Sequence, residues 1–542
     1  MGEGKTSLER RIFKASLFVL IAHMLFKMAG LIQAVVMGRF LPPETYDIVY
    51  VVAFEGCVFM LFMIGEQVLG PTMLPLFMRE LDTRSEETAW RFANTVLTVQ
   101  FLFLVAAAVA LCVAPHAVVE LLTRWGPDSS PEKFEKAARS VRTMAPALVG
   151  LSLGSTTYVL LNSYKRFFLA AFGDAAWKFC AVLFLAAGVL TSRNGAQMLM
   201  WGLVAGSVCK LATHLFGLRD KMSHFRPTLA FSDPEVRAAL KSLSLLSLPL
   251  LLGILFANLR EIVNNNYVLS AIDESGLMQA NSMGKKLQST LLFLVPYTLS
   301  IAVFPFFCEL VDRQDNARLG ILVTRFGRML LSVFVPFAFF VAVAAVPITS
   351  LIFKGGYFDA VAVQRTAVSL SFYTFVLPAA AIEMLVMQAF FANRRMWSVT
   401  IIGVAFSMVS ILISWIGLKV CEGRNLLLLA FIAGGFTLAR TLKSLALVEM
   451  LKKNAPVFPF RETLAFLVRV TLATGVAAGL SWLALHSVSG LAVLSGRVGD
   501  VVRLAVAGAV FGAAYLAAAH GLRIGELREL FAFALQKMRK RA

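Results

Sequence analysis

Charge is scarce in this chain of 542 residues: Asp, Glu, Lys and Arg make up 15% of it, against 58% for the hydrophobic types. A mean hydropathy of +0.76 excludes an ordinary soluble domain. The six cysteines (Cys57, Cys112, Cys180, Cys209, Cys308, Cys421) are scattered and lack a CxxC spacing, so they read as small core residues. The six histidines include no pair at metal-ligand spacing, and neither a metal nor a cofactor is expected. "GEGKTS" near the start has the GKT of a P-loop without its four-residue spacer or a preceding strand, which excludes an ATPase built into the chain. The same residues fit an N-myristoylation pattern, discounted in a chain with many membrane spans. With no long outer loop to hold a catalytic domain, a non-enzyme is expected.

What is present is apolar sequence in runs of roughly 20 residues, enough to cross a hydrocarbon core of about 30 Å. The runs predict an all-α polytopic membrane protein with about 14 spans. They fall at 13–38, 46–78, 89–113, 143–164, 168–190, 197–217, 242–270, 277–309, 326–349, 366–391, 398–418, 426–449, 464–486 and 501–520. Placing both termini in the cytoplasm sends most of the 51 Lys and Arg to inner loops, the positive-inside asymmetry. "EKFEKAARSVR" is the basic outer exception. The net charge of +19 is then a topology signal and an affinity for anionic membrane lipid, not for nucleic acid. The first span is too long and polar for a signal peptide and reads as uncleaved.

Span two ends "GPTMLPLFMRELDTRSEE" and span eight ends "LSIAVFPFFCELVDRQDNAR", both reading Pro, apolar, Phe, then Glu-Leu and mixed charge. Pro75 and Pro305 occupy matching positions. An even number of spans separates them, so the copies share one orientation. The expected organisation is an N-lobe over 1–220, a C-lobe over 221–455, a helix pair over 456–522 and a basic amphipathic tail over 523–542. Parallel lobes suit alternating access around a site between them.

Ionisable residues at membrane depth are costly and normally face water or a partner. Those within the spans are mainly cationic: Lys27, Lys178, Lys210 with His214 one turn on, Arg260, Lys285 and Lys286. A cavity so lined attracts a multi-oxygen anion such as a pyrophosphate. Lys210 and His214 also admit a second reading, contact with lipid headgroups near the inner face. Glu55, Glu66, Glu261 and Glu383 are candidates for ion coupling. In "ANLREIVNNNYVL", Asn258, Asn265 and Asn266 fall near one helical face, as a polar cavity wall or as hydrogen-bonding contacts to neighbouring helices.

"FKMAGLIQAVVMGRFLPPETYD" followed by "GEQVLGPTMLPLFMREL" resembles the opening of the MurJ/MviN family of lipid II flippases, within the multidrug/oligosaccharidyl-lipid/polysaccharide exporter superfamily. "IFKGGYFDAVAVQRTAVSLSFYTFVLPAAAIEMLVMQAFFANRR" and "WGLVAGSVCKLATHL" are similar to that family's tenth and sixth spans. The resemblance implies translocation of undecaprenyl-pyrophosphate-linked peptidoglycan precursor across the bacterial inner membrane, with cell-wall synthesis machinery as a possible partner. It also implies a lipid-tail groove at spans 13 and 14. The family's cavity arginines of spans one and eight fall on Lys27 and Lys286. Its further Arg-Asp pair in span one falls on Gln33 and Ala34, and its Arg-Arg pair in span two on Leu61 and Phe62, with the following glutamate kept as Glu66. These departures leave open a flippase for another lipid-linked glycan, such as an O-antigen or exopolysaccharide unit, and an inactive relative acting as a scaffold. A cation-coupled drug exporter is weaker, because a cationic cavity repels cationic drugs.

Overall fold

The computed structural model describes residues 28–191, 194–293, 304, 306–393, 396–489 and 496–527. Lys27, Pro305 and the tail beyond 527 therefore lie outside the described residues. The described chain is helical: α1 Met28–Phe40, α2 Pro43–Thr83, α3 Glu86–Val113, α4 Pro115–Leu122, α5 Pro131–Ser163, α6 Phe167–Leu190, α7 Gly195–Gly217, α8 Pro234–Ala271 and α9 Leu277–Phe293. There follow α10 Asn316–Val343, α11 Ala345–Phe353, α12 Ala360–Ala392, α13 Met396–Val420, α14 Asn425–Lys452, α15 Phe460–Ser489 and α16 Gly496–Gly521. Among the described residues, 12 helices are long and apolar enough to cross a membrane, each coinciding with one expected span. Of the other two expected spans, the first and eighth, the described parts are α1 and α9, and the rest lies outside the described residues.

Polar residues start these helices ahead of the apolar runs. Ser85, Asp233, Asp315 and Asp359 each accept a hydrogen bond from a backbone N–H of the first turn, satisfying a donor with no partner within the helix. Pro115, Pro131 and Pro234 occupy first-turn positions where no N–H is needed.

The chain divides into two compact units, Met1–Met278 and Gln279–Ala542. Helix α8 is grouped with the first unit, and its far end is pinned there. Ser270 Oγ accepts from Arg124 N at 2.8 Å, Asp47 Oδ2 from Gly276 N at 2.6 Å, and Asp273 pairs with Lys133 at 2.6 Å. Within unit 1, α5, α6 and α7 approach closely because glycine lines the contact. A Cβ at Gly206 would lie 2.6 Å from the Trp177 carbonyl oxygen, and one at Gly154 would lie 2.7 Å from the Lys210 side chain, the small-residue packing that membrane helices use. Unit 2 has a core of Phe307, Phe334, Leu385 and Phe390 and a separate one joining α15 to α16 through Phe466, Val470, Phe511 and Tyr515.

At the opposite end of unit 1 a polar network ties α3 to the α5–α6 turn and to the 3-10 turn Arg219–His224. Trp90 Nε1 donates to the Tyr164 hydroxyl at 2.9 Å, which donates to Glu86 at 2.6 Å, and Lys221 pairs with Glu86 at 2.6 Å. Burial, then the Glu86 hydrogen bond, pushes the Tyr164 hydroxyl up from its ordinary value. Arg166 grips Asp220 with two bonds of 2.5 and 2.6 Å and donates to the Gly217 carbonyl. The hydrogen bond from Arg166 draws the Asp220 carboxyl from 3.8 down to about 2. A depressed folded-state pKa contributes stability that is complete above 3.8 and lost as pH falls towards 2. Asp220→Asn is therefore expected to lower the melting temperature of the purified protein at pH 7, and the gap from wild type is expected to close as the melts are repeated at progressively lower pH. A gap that stays constant into that window would refute the assignment.

Candidate functional site

Lys210, on α7, is 1% exposed, so the alternative of headgroup contact for Lys210 and His214 is corrected: both are enclosed by helices of unit 1. An unmatched ammonium cannot be held there cheaply. It is matched by Asp174 of α6, whose Oδ1 lies 2.6 Å from Lys210 Nζ. The ammonium also stands 4.6 Å from the centre of the Phe62 ring, a cation–π contact. Phe62 is the position to which the family resemblance assigns an arginine, so the cation beside it comes from α7. One turn on, His214 fills the space left by Gly173. Its Nδ1 is 3.0 Å from both Thr157 Oγ1 and the Gly154 carbonyl, and its Nε2 is 3.0 Å from the Ala170 carbonyl. Lys178, one turn beyond Asp174, is half-buried with its Nζ 5.4 Å from the Trp177 ring centre.

The stretch "ANLREIVNNNYVL" closes α8. Asn258, Arg260 and Glu261 are partly buried and Asn264, Asn265 and Asn266 buried. Asn264, Asn265 and Asn266 occupy a π-helical segment, Ile262–Tyr267, and a second wide-turn segment, Tyr46–Phe59 of α2, packs against it. Such segments recur at functional sites. The Asn266 amide fills the space a Cβ would need at Gly56. Glu55 lies in the α2 segment and accepts a hydrogen bond from Tyr50; Glu66 follows, partly buried. Gln33, buried on α1, has no hydrogen-bond partner for Nε2 among the described residues, nor do Asn258 and Asn266 for Nδ2.

In unit 2, Lys285 and Lys286, adjacent on α9, are both partly buried and point about 100° apart around the helix. Lys285 Nζ stands 5.1 Å from the Phe436 ring centre. Lys286 has no ion pair or side-chain hydrogen bond among the described residues. Glu383 of α12, 5% exposed, is gripped by two cations of α14, Arg440 Nε and Lys443 Nζ, each at 2.8 Å.

Three of these residues escaped sequence reading: Asp174, Arg440 and Lys443. Asp174 carried a signal, since it precedes Lys178 by one turn as Lys210 precedes His214. For Arg440 and Lys443 the clue was a helix-face pair placed deep within an apolar run.

Breaking a buried ion pair by removing one partner typically costs about 3–5 kcal/mol, whereas removing both with apolar or neutral groups costs far less. Lys210→Met and Asp174→Asn should each lower the melting temperature, and the joint substitution should recover most of the loss. Additive losses in the double variant would sink the pairing as the source of stability.

The described geometry is that of a known group of membrane proteins. A family model described as "Lipid II flippase MurJ" matches residues 43–497. Among curated proteins, the chain is 24% identical to a probable lipid II flippase MurJ of Rhizobium meliloti, over 61% of this chain and 61% of that one. It is 22% identical to the lipid II flippase MurJ of Burkholderia cenocepacia, over 88% of this chain and 90% of that one. Its fold is similar to a solved lipid II flippase MurJ in an inward closed conformation, with a TM-score of 0.72 at 16% identity, covering 93% of this chain and 99% of that one. It is also similar to an inward-facing multidrug resistance MATE family transporter of the MOP superfamily, with a TM-score of 0.65 at 14% identity, covering 79% and 95%. This multi-pass membrane chain belongs to the MurJ lipid II flippase family.

Proposed function

We propose that this chain carries lipid II across the bacterial inner membrane by alternating access, as a transporter without covalent chemistry, with both termini cytoplasmic. The family match supports this reading, and one observation about charge carries it to particular residues. Lys210 is already matched by Asp174, and Glu383 absorbs charge from Arg440 and Lys443. Lys286 remains as a half-buried ammonium with no counter-ion among the described residues. A pyrophosphate, with its several oxyanions, supplies what that ammonium lacks.

The other cations proposed for the cargo are Lys27, Lys178, Lys285 and Arg260, with Lys210 contributing to the local field rather than as a free charge. Gln33 is proposed as a substrate-binding residue beside these cations, and Asn258, Asn265 and Asn266 as the polar wall. A buried donor without a partner costs about 1–3 kcal/mol, so the bare Nε2 of Gln33 and Nδ2 of Asn258 and Asn266 favour a state in which glycan hydroxyls or water meet them. The lobes are proposed at 1–220 and 221–455, with the groove pair at 456–522. Glu55, Glu66 and Glu261 remain proposed coupling residues. Glu383 suits that role less, because protonating it would strand two cations.

Complementation in cells depleted of their own lipid II flippase tests the function. The wild-type chain is expected to restore growth. A hydrogen bond to a charged group contributes about 1.5–3 kcal/mol, so Lys286→Ala should cut transport on the order of tenfold or more, with Lys286→Arg retaining most of it. A well-expressed wild-type chain that fails to rescue would redirect the cargo to another lipid-linked glycan. Full rescue by Lys286→Ala would remove the proposed anion contact.

A further inference from the structure

A cavity of about 410 Å³ opens at the start of α15, lined by Arg328, Arg461, Glu462, Phe466, Arg469 and Glu526, among others. The sequence suggested a lipid-tail groove on this helix pair but no headgroup contact at its start. Arg461, Ala465 and Arg469 are spaced by four along α15, so they occupy one face and spread over roughly 12 Å of it. Three guanidinium groups meet two carboxylates, and one carboxylate is already committed: Arg328 Nη2 holds Glu462 Oε2 at 3.1 Å. Arg461 and Arg469 are exposed and have no hydrogen bond or ion pair among the described residues. The Nε of Arg328 is buried and lacks a hydrogen-bond partner there, while its guanidinium stands 5.9 Å from the Phe466 ring centre.

The floor of the cavity is apolar. Phe466 and Ile524 belong to the core that joins α15 to α16, and the Tyr515 hydroxyl anchors α16 to α10 through the Ser332 carbonyl at 2.6 Å. Beside the arginines, Leu464, Val468, Leu472 and Val476 form an exposed apolar stripe running along α15 away from the cavity. An anionic rim ligand with a hydrocarbon chain attached fits both halves: the oxyanion at the arginine fork, the chain on the stripe. The positive-inside pattern assigns this end of α15 to the cytoplasmic side, where its cations meet the headgroup layer.

We propose that the arginines at the start of α15 form a binding site for an anionic phospholipid of the surrounding membrane, which they hold by its phosphate. The site lies on the helix pair proposed for the cargo's tail but uses none of the cations and amides proposed for its headgroup, so lipid retention and complementation report on the two separately.

The protein in nanodiscs of mixed phosphatidylglycerol and phosphatidylcholine, released for native mass spectrometry, shows which lipid is retained. Wild type is expected to retain phosphatidylglycerol over phosphatidylcholine, and Arg461→Gln/Arg469→Gln to reduce that preference several-fold. Arg313→Gln/Arg318→Gln removes the same charge from an exposed segment elsewhere in unit 2 and is expected to leave the preference intact. Melting curves of the two double variants establish that both remain folded. An equal loss in both would overturn the site in favour of general surface charge, as would an unchanged preference in Arg461→Gln/Arg469→Gln. Addition of inorganic phosphate separates the sources: displacement of phosphatidylglycerol at low millimolar concentration would assign the site to free phosphate and overturn the lipid, while retention supports it.

Discussion

An ammonium and a carboxylate 2.6 Å apart, Lys210 and Asp174, stand where α5, α6 and α7 come closest, and the packing of unit 1 is arranged around them. Taking the Lys210 ammonium out of water alone would cost several kcal/mol. Together they are tolerable, provided the helices approach closely enough to keep them in contact. Gly154 and Gly206 permit that approach, and Phe62 completes the enclosure with the face of its ring. Glycine spacing, ion pair and ring are one device read at three levels: sequence, packing and electrostatics.

The same constraint sorts every other charge in the chain. A cation matched inside the protein is scaffold, whereas an unmatched one at depth is tolerated only where water or an anion reaches it. Lys210 belongs to the first class. Lys286 belongs to the second among the described residues. Resemblance alone makes Leu61 and Phe62 look like the loss of an anion anchor. Lys210 brings a cation back to the Phe62 ring, yet Asp174 neutralises it, so the local charge that a pair of arginines would supply is not restored. In unit 1 the half-buried Lys178 and the unpartnered amides of Gln33 and Asn258 remain as polar groups.

The spans were legible because twenty apolar residues in a row admit few other fates, while the starts at Glu86, Pro234 and Ala360 lie several residues ahead of the apolar runs, set by the caps Ser85, Asp233 and Asp359. Individual cations at depth were equally visible. Which of them were already neutralised was not, since Lys210 and Asp174 lie in different helices and pair through a tertiary contact that no periodicity reports. Glu383 was visible as a lone acid, while Arg440 and Lys443, 57 and 60 residues further on, were absorbed into an apolar run. "NLREIVNNNY" declared its polarity openly; its wide-turn geometry and the fit of Asn266 against Gly56 depended on α2.

These pairings leave the two units with unlike charge economies. In unit 1 the deeply buried cation is balanced one for one by Asp174. In unit 2, Glu383 meets two cations and α9 adds Lys285 and Lys286, a positive surplus around these helices. A multi-oxygen anion is drawn to the surplus and not to the balanced pair, because only there does its arrival relieve repulsion among like charges. Lys286, on α9, is the cation of that surplus that stands without a counter-ion among the described residues.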